Sequence, residues 1–135
     1  MQQTAALSAG VFAGSSLFAQ ESTSANERVR FACIGIGGKG DSDSADAGKH
    51  GDVVAIVDID NARLNNSGEK KFPKAKRFTD YRKMYDEMEK SFDAVTVSTP
   101  DHSHFLATAM ALQRGKACFT QKPLTHSVYL SLIHI

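Results

Sequence analysis

The chain has 135 residues and a mass of 14.6 kDa, with 41% hydrophobic and 23% charged residues, a size for one domain and the composition of a globular protein. Sixteen Lys and Arg against fifteen Asp and Glu leave a formal net charge of +1, which gives no electrostatic support for binding nucleic acid or an anionic membrane. The two cysteines, Cys33 and Cys118, are too few for a disulfide framework and form no CxxC pair.

The first 27 residues carry no Lys or Arg and only two charges, Glu21 and Glu27. Residues 5–19 are small, apolar and glycine-containing, and 22–26 form a polar linker. This is the pattern of the hydrophobic and cleavage regions of an export leader, with cleavage expected after Ala19. The basic n-region is missing, so the true start is expected upstream of Met1. The moderate hydrophobicity is that of twin-arginine signals, and the expected location is periplasmic or exported, or cytoplasmic if 1–27 is not a signal. The stretch is too short and too interrupted by Gly and Ser for a stable membrane span.

From residue 28 onward the pattern alternates. Residues 29–35 form a short apolar, β-branched run that reads as a buried strand. A polar helix over 41–49 follows, closed by Gly51, and then a second buried strand over 53–58. Asp60 is placed to cap a helix through Lys71, and Pro73 breaks the chain. Residues 77–79 suit a short third strand. Asp80 is placed to cap a helix on which Tyr81, Met84, Tyr85 and Met88 recur at helical spacing. The fourth strand, 94–99, ends at Pro100. Asp101 is the expected cap of the next helix, with Phe105, Leu106, Ala109, Met110 and Leu112 as its inner face and Gly115 as its end. Residues 116–120 form the fifth strand, stopped by Pro123. Such alternation predicts an α/β fold, a doubly wound parallel sheet of Rossmann type with helices on both faces. Both cysteines fall mid-strand, where burial is expected.

Gly35-Ile36-Gly37-Gly38-Lys39-Gly40 fits GxGxxG and stands where that motif has meaning, between a buried strand and a helix. Gly35 permits the tight turn, Gly37 lets a pyrophosphate approach the backbone, and Gly40 lets the helix pack close to the strand. The helix N-terminus presents N–H groups and a positive dipole end to phosphate. Lys39 either adds charge there or is a solvated surface lysine. Asp58 lies 18 residues beyond Gly40, at the end of the second strand, where its carboxylate accepts from the ribose hydroxyls. A 2′-phosphate would meet like charge, so NAD is favoured over NADP. Arg63 is the nearby cation that weakens this preference.

Two further motifs close strands four and five: Ser98-Thr99-Pro100-Asp101-His102-Ser103-His104 and Gln121-Lys122-Pro123. Ligands of a doubly wound sheet sit at the carboxyl ends of its strands, so both motifs are expected at the crevice of the glycine loop. With that loop and Val54-Ala-Ile-Val-Asp58, they give the chain a sequence that resembles the Gfo/Idh/MocA family of nicotinamide-dependent oxidoreductases over residues 28–129.

The resemblance implies a cofactor-binding half whose second, substrate-binding domain is absent from this chain. It also implies a sugar or polyol substrate and a homo-oligomeric whole protein. Lys122 and one of the two histidines, His102 or His104, are implied to reach the nicotinamide site, with Lys122 and His104 as catalytic candidates. The implied cofactor contacts are the loop 35–40, Asp58, Thr99, Pro100, His102, Gln121 and Lys122. The family pattern carries Glu-Lys-Pro where this chain has Gln121-Lys122-Pro123, which removes a negative charge beside Lys122. A lysine ammonium beside a reacting carbinol orients the hydroxyl and stabilises charge on its oxygen, and the deprotonated amine helps move the proton. The bland reading of Lys122 is a surface lysine after a strand.

His102 and His104, at i and i+2, do not face each other on a helix, so no metal site is expected. His126, in Thr125-His126, matches the exported members, and His50 reads as a solvated helix-end residue. Three alternatives remain in the sequence: an NAD-dependent glycosidase of the same fold, a non-catalytic dinucleotide-binding module, and a nucleotide-binding fold for another ligand. Leu130–Ile135 spells one reading frame of a transposon-end sequencing adapter, so the native sequence is expected to end near Tyr129. The fragment alone is expected to bind dinucleotide weakly and not to turn over substrate.

Overall fold

A computed structural model describes residues 28–134. The expected leader at 1–27 lies outside the described residues. Along the chain run β1 (Val29–Ile34), α1 (Lys39–His50), β2 (Gly51–Val57), α2 (Asn61–Lys70), β3 (Lys76–Phe78), α3 (Tyr81–Met88), a 3-10 turn (Glu89–Ser91), β4 (Ala94–Val97), α4 (Asp101–Gln113), β5 (Ala117–Thr120) and α5 (Val128–His134). The five strands form one parallel sheet in the order β3-β2-β1-β4-β5.

The order follows from the pattern. Apolar strands of four to seven residues need cover on both faces, and the intervening helices supply it. Side-chain alternation sends Ala32, Ile34, Val57, Val95 and Val97 to one face, where Met84, Tyr85, Phe92, Ala107 and Ala111 pack. Cys33 and Ile56 point to the other, against Ala47 and Leu64. From β1 the chain winds outward through β2 and β3, then returns to place β4 on the opposite side of β1. The loops leaving β1 and β4 therefore diverge above neighbouring strand ends and open a crevice between them.

Local chemistry sets the helix starts. The Asp60 carboxylate accepts from the Ala62 and Arg63 amides, and Asp80 accepts from Arg82, which places both caps where the residue pattern puts them. Four expectations are corrected. The first helix begins at Lys39, two residues before Asp41, because it grows directly out of the glycine loop. The cap position of α4 is Pro100, with Asp101 inside the first turn. There its charge complements the helix dipole without a capping bond.

The inner face of α4 also differs. His104, Ala107, Thr108 and Ala111 are buried, whereas Leu106 and Leu112 are 60% and 51% exposed. Small side chains let the helix lie close on β4 and β5, and the leucines fall outside that contact. Cys33 is buried, but Cys118 is half-buried because it stands on β5, an edge strand of the described sheet. Residues 130–134 continue α5. No helix among the described residues is long and apolar enough to cross a membrane.

Candidate functional site

The crevice holds a cavity of about 530 Å³ at the carboxyl ends of β1, β2 and β4. Gly35, Gly37, Gly38 and Lys39 line one side, Asp58, Ile59 and Arg63 another, and Ser98, Thr99, Pro100, His102 and Ser103 the third. Thr79 and Tyr81, at the end of β3 and the start of α3, complete the wall.

The glycine loop is shaped by close approaches. Gly35 has φ +79°, and a Cβ there would stand 2.6 Å from the Ser98 carbonyl oxygen. A Cβ on Gly40 would stand 2.0 Å from the Gly35 carbonyl oxygen, so α1 can start this near β1 only with hydrogen at both positions. The Gly40 and Asp41 amides bond back to the carbonyls of Gly37 and Gly38. The amides just ahead of them stand at the positive end of the α1 dipole.

Asp58 is 8% exposed. One of its oxygens accepts from the buried Ile36 amide at 3.1 Å, and the other accepts from the Asp60 amide at 3.0 Å. The carboxylate thus ties the glycine loop to the end of β2 while remaining on the cavity wall. Ile36 serves through this amide, since its side chain is buried in the core on the α1 side. The Arg63 side chain lies over Gly37, its Cδ 2.7 Å from where a Cβ would be, and its Nε stands 3.4 Å from the Asp60 carboxylate. Lys39 lines the cavity, but its ammonium donates to Asp43 at 2.7 Å and to Ser42 at 3.2 Å. Part of its charge is therefore already matched.

His102 is exposed and on the wall. His104, two residues on, is buried. Its Nδ1 lies 2.6 Å from the Pro123 carbonyl oxygen and its Nε2 2.7 Å from that of Thr99. A neutral imidazole donates to one such acceptor; only the doubly protonated ring donates to both. In either state the ring spans the ends of β4 and β5 as a strut and is not among the cavity-lining residues. Gln121 and Lys122 are also outside the lining: Lys122 is exposed and its amide donates to the Gln121 side-chain oxygen at 3.3 Å. The Lys122–Pro123 peptide bond is cis. His50 is exposed at the end of α1.

The Thr99 hydroxyl is buried on this wall with no hydrogen-bond partner. A buried hydroxyl without a partner costs on the order of 1–3 kcal/mol, and a polar ligand group in the cavity would relieve it. The bare glycine backbone, the α1 N-terminus, the Asp58 carboxylate and the orphan Thr99 hydroxyl together fit a dinucleotide. Ile59, Thr79 and Tyr81 also line the cavity, although no sequence motif points to a binding role for them, and Ser103 joins them from within the motif that closes β4. Their signal is positional, since each lies at or next to the carboxyl end of a strand or the start of the following helix.

Fold and cavity define a dinucleotide-binding domain of the doubly wound class. The sequence profile of the Gfo/Idh/MocA oxidoreductases, an NAD-binding Rossmann fold, matches residues 29–130, and the chain belongs to that family. No curated protein matches it in sequence. Among solved structures it is similar to an oxidoreductase from Agrobacterium radiobacter in complex with NAD+, L-tartaric acid and magnesium. The identity is 26% and the TM-score 0.68, over 78% of this chain and 31% of that one. It is also similar to a probable dehydrogenase from Thermotoga maritima (23%, TM-score 0.71, 79% and 32%). A third is the WlbA dehydrogenase from Thermus thermophilus in complex with NAD and alpha-ketoglutarate (24%, TM-score 0.65, 78% and 36%). The chain spans about a third of the length of these proteins.

Proposed function

We propose that this chain is the NAD-binding half of an exported oxidoreductase that transfers hydride between NAD and a sugar or polyol. The observation that carries the reading is the single cavity in which the glycine loop, Asp58 and the orphan Thr99 hydroxyl meet. Dinucleotide-bound relatives of the same fold support it, and one neighbour is a scyllo-inositol dehydrogenase from Lactobacillus casei. The composition of residues 1–27 supports export.

When bound, NAD supplies the hydride acceptor. The chain's own residues bind and orient it. The first turn of α1 takes the pyrophosphate at Gly37 and Gly38. Asp58, held by the Ile36 and Asp60 amides, accepts from the adenine ribose and disfavours a 2′-phosphate. Arg63 and Ile59 flank the adenosine end. Thr99, Pro100 and His102 meet the nicotinamide end. Lys122 provides the ammonium that orients the substrate hydroxyl, and His104 holds the turn of β4 against the segment after β5.

Titration of NAD into the isotope-labelled chain tests this assignment. Amide shifts are expected at Gly35, Gly37, Gly38, Asp58, Thr99 and His102. Shifts confined to the opposite end of the sheet, around Phe72 and Val53, would contradict it.

A further inference from the structure

The carboxylate of Asp43 ties three elements together beside the site, yet it lies outside the cavity lining and no motif draws attention to it. It sits on the second turn of α1 with a side chain only 8% exposed. One oxygen accepts from the Lys39 ammonium at 2.7 Å. The other accepts from the Ser98 hydroxyl at 2.7 Å and from the Gln121 amide nitrogen at 2.9 Å. These donors come from α1, the end of β4 and the end of β5. Gln121 in turn accepts the Lys122 amide at its side-chain oxygen. An unbroken path therefore runs from a charge on α1 to the backbone of Lys122.

The geometry dictates the residue type at 121. A glutamate there would set a second carboxylate within hydrogen-bond distance of the first, in a partly buried place where the Lys39 ammonium is bonded to Asp43 alone of the two. Like charges at that separation do not both remain ionised without penalty. Glutamine supplies a donor toward Asp43 and an acceptor toward Lys122 at once. The negative charge that the Glu-Lys-Pro pattern places beside the lysine stands in this chain on α1.

We infer that Asp43 is a positioning residue of the dinucleotide site: acting through the Gln121 side chain, it fixes the Lys122 end of β5 beside the Ser98–Thr99 turn, and it requires an uncharged donor at position 121. The inference rests on the NAD-binding reading for its consequence in affinity, but its geometry is tested without the cofactor.

The experiment is a four-protein cycle in the full chain: wild type, Gln121→Glu, Asp43→Asn and the double variant. In the double variant the amide and carboxylate trade places. The new amide on α1 donates to the new carboxylate after β5, and the Ser98 hydroxyl turns from donor to acceptor. Amide shifts of Ser98 and Lys122 and NAD affinity are read on each. Gln121→Glu is expected to displace both amides and weaken NAD about tenfold, and the double variant to recover both to within about threefold.

A Gln121→Glu protein indistinguishable from wild type, or a double variant no better than Gln121→Glu, overturns the inference. So does recovery of the shifts in proteins that all bind NAD with the same measurable affinity, since the network would then be a tie without bearing on the cofactor. If Gln121→Glu does not fold, Gln121→Met removes the donor without adding charge, and unchanged Ser98 and Lys122 shifts in that protein overturn the inference equally. A wild-type chain that takes no NAD refutes the proposed function, while displaced amides restored by the exchange still establish the positioning path.

Discussion

Replacing Asp58 with alanine separates what this carboxylate does for the fold from what it does for the cofactor. Two backbone amides donate to it, Ile36 from a buried position and Asp60 from a partly buried one. Hydrogen bonds to a charged group contribute roughly 1.5–3 kcal/mol each, and a buried amide left without an acceptor costs about 1–3 kcal/mol. Water replaces the acceptor at Asp60 more readily than at Ile36. The expected loss for Asp58→Ala is therefore about 3–4 kcal/mol, a large share of a small domain's stability. Asp58→Asn keeps one carbonyl oxygen and turns an NH2 toward the other amide, so it should lose about 2 kcal/mol. Urea unfolding at neutral pH measures both variants, and calorimetric titration on the folded fraction measures the cofactor. NAD affinity is expected to fall in both, and the preference for NAD over NADP to shrink as the charge facing a 2′-phosphate is removed. Variants within about 0.5 kcal/mol of wild type, with an unaltered NAD to NADP ratio, would rule out both roles for the Asp58 carboxylate.

Other outcomes follow from the same structure. Gly40→Ala places a Cβ 2.0 Å from the Gly35 carbonyl oxygen, so the glycine loop must open, and circular dichroism should show a lower melting temperature together with lost NAD binding. Thr99→Val removes a buried hydroxyl that has no protein partner. Its melting temperature should hold or rise while NAD binding weakens about fivefold, and calorimetry reads both. Bonds from the Arg82 side chain and backbone hold the Asp80 carboxyl at about 2 against a usual 3.8. A depressed value means stability present above the unfolded pKa and lost as pH falls through the folded one, so α3 should loosen between about pH 4 and pH 2, and Asp80→Asn should flatten that acid limb of the melting curve. Burial pushes the Cys33 thiol up to about 11 and raises that of Cys118, so a thiol reagent at pH 8 should react slowly with the native chain and quickly in denaturant.

The fold is legible in the sequence because its signals are local. Apolar runs, the Asp60 and Asp80 caps and the glycine loop each lie within a few residues of what they specify, and their order imposes the parallel sheet. The wall of the cavity is partly legible for the same reason: Asp58 and Thr99 close strands, and strand ends are where such sheets bind. What the sequence does not disclose depends on distance in the chain. Asp43 reads as one more charge on a polar helix, and its partner Gln121 is 78 residues away. His104 lies inside a motif associated with the site, yet only the fold shows both ring nitrogens on backbone carbonyls. Hydropathy misassigns the α4 face because it ranks Leu106 and Leu112 above Ala107 and Ala111, whereas close packing on the sheet favours the small residues.

Calorimetric titration of the purified 135-residue chain with NAD, with NADP in parallel, decides whether this domain binds the dinucleotide. Weak but saturable binding of one NAD per chain is expected, with NADP weaker. Absence of saturable heat with either dinucleotide, under conditions where the chain is folded by circular dichroism, would contradict it.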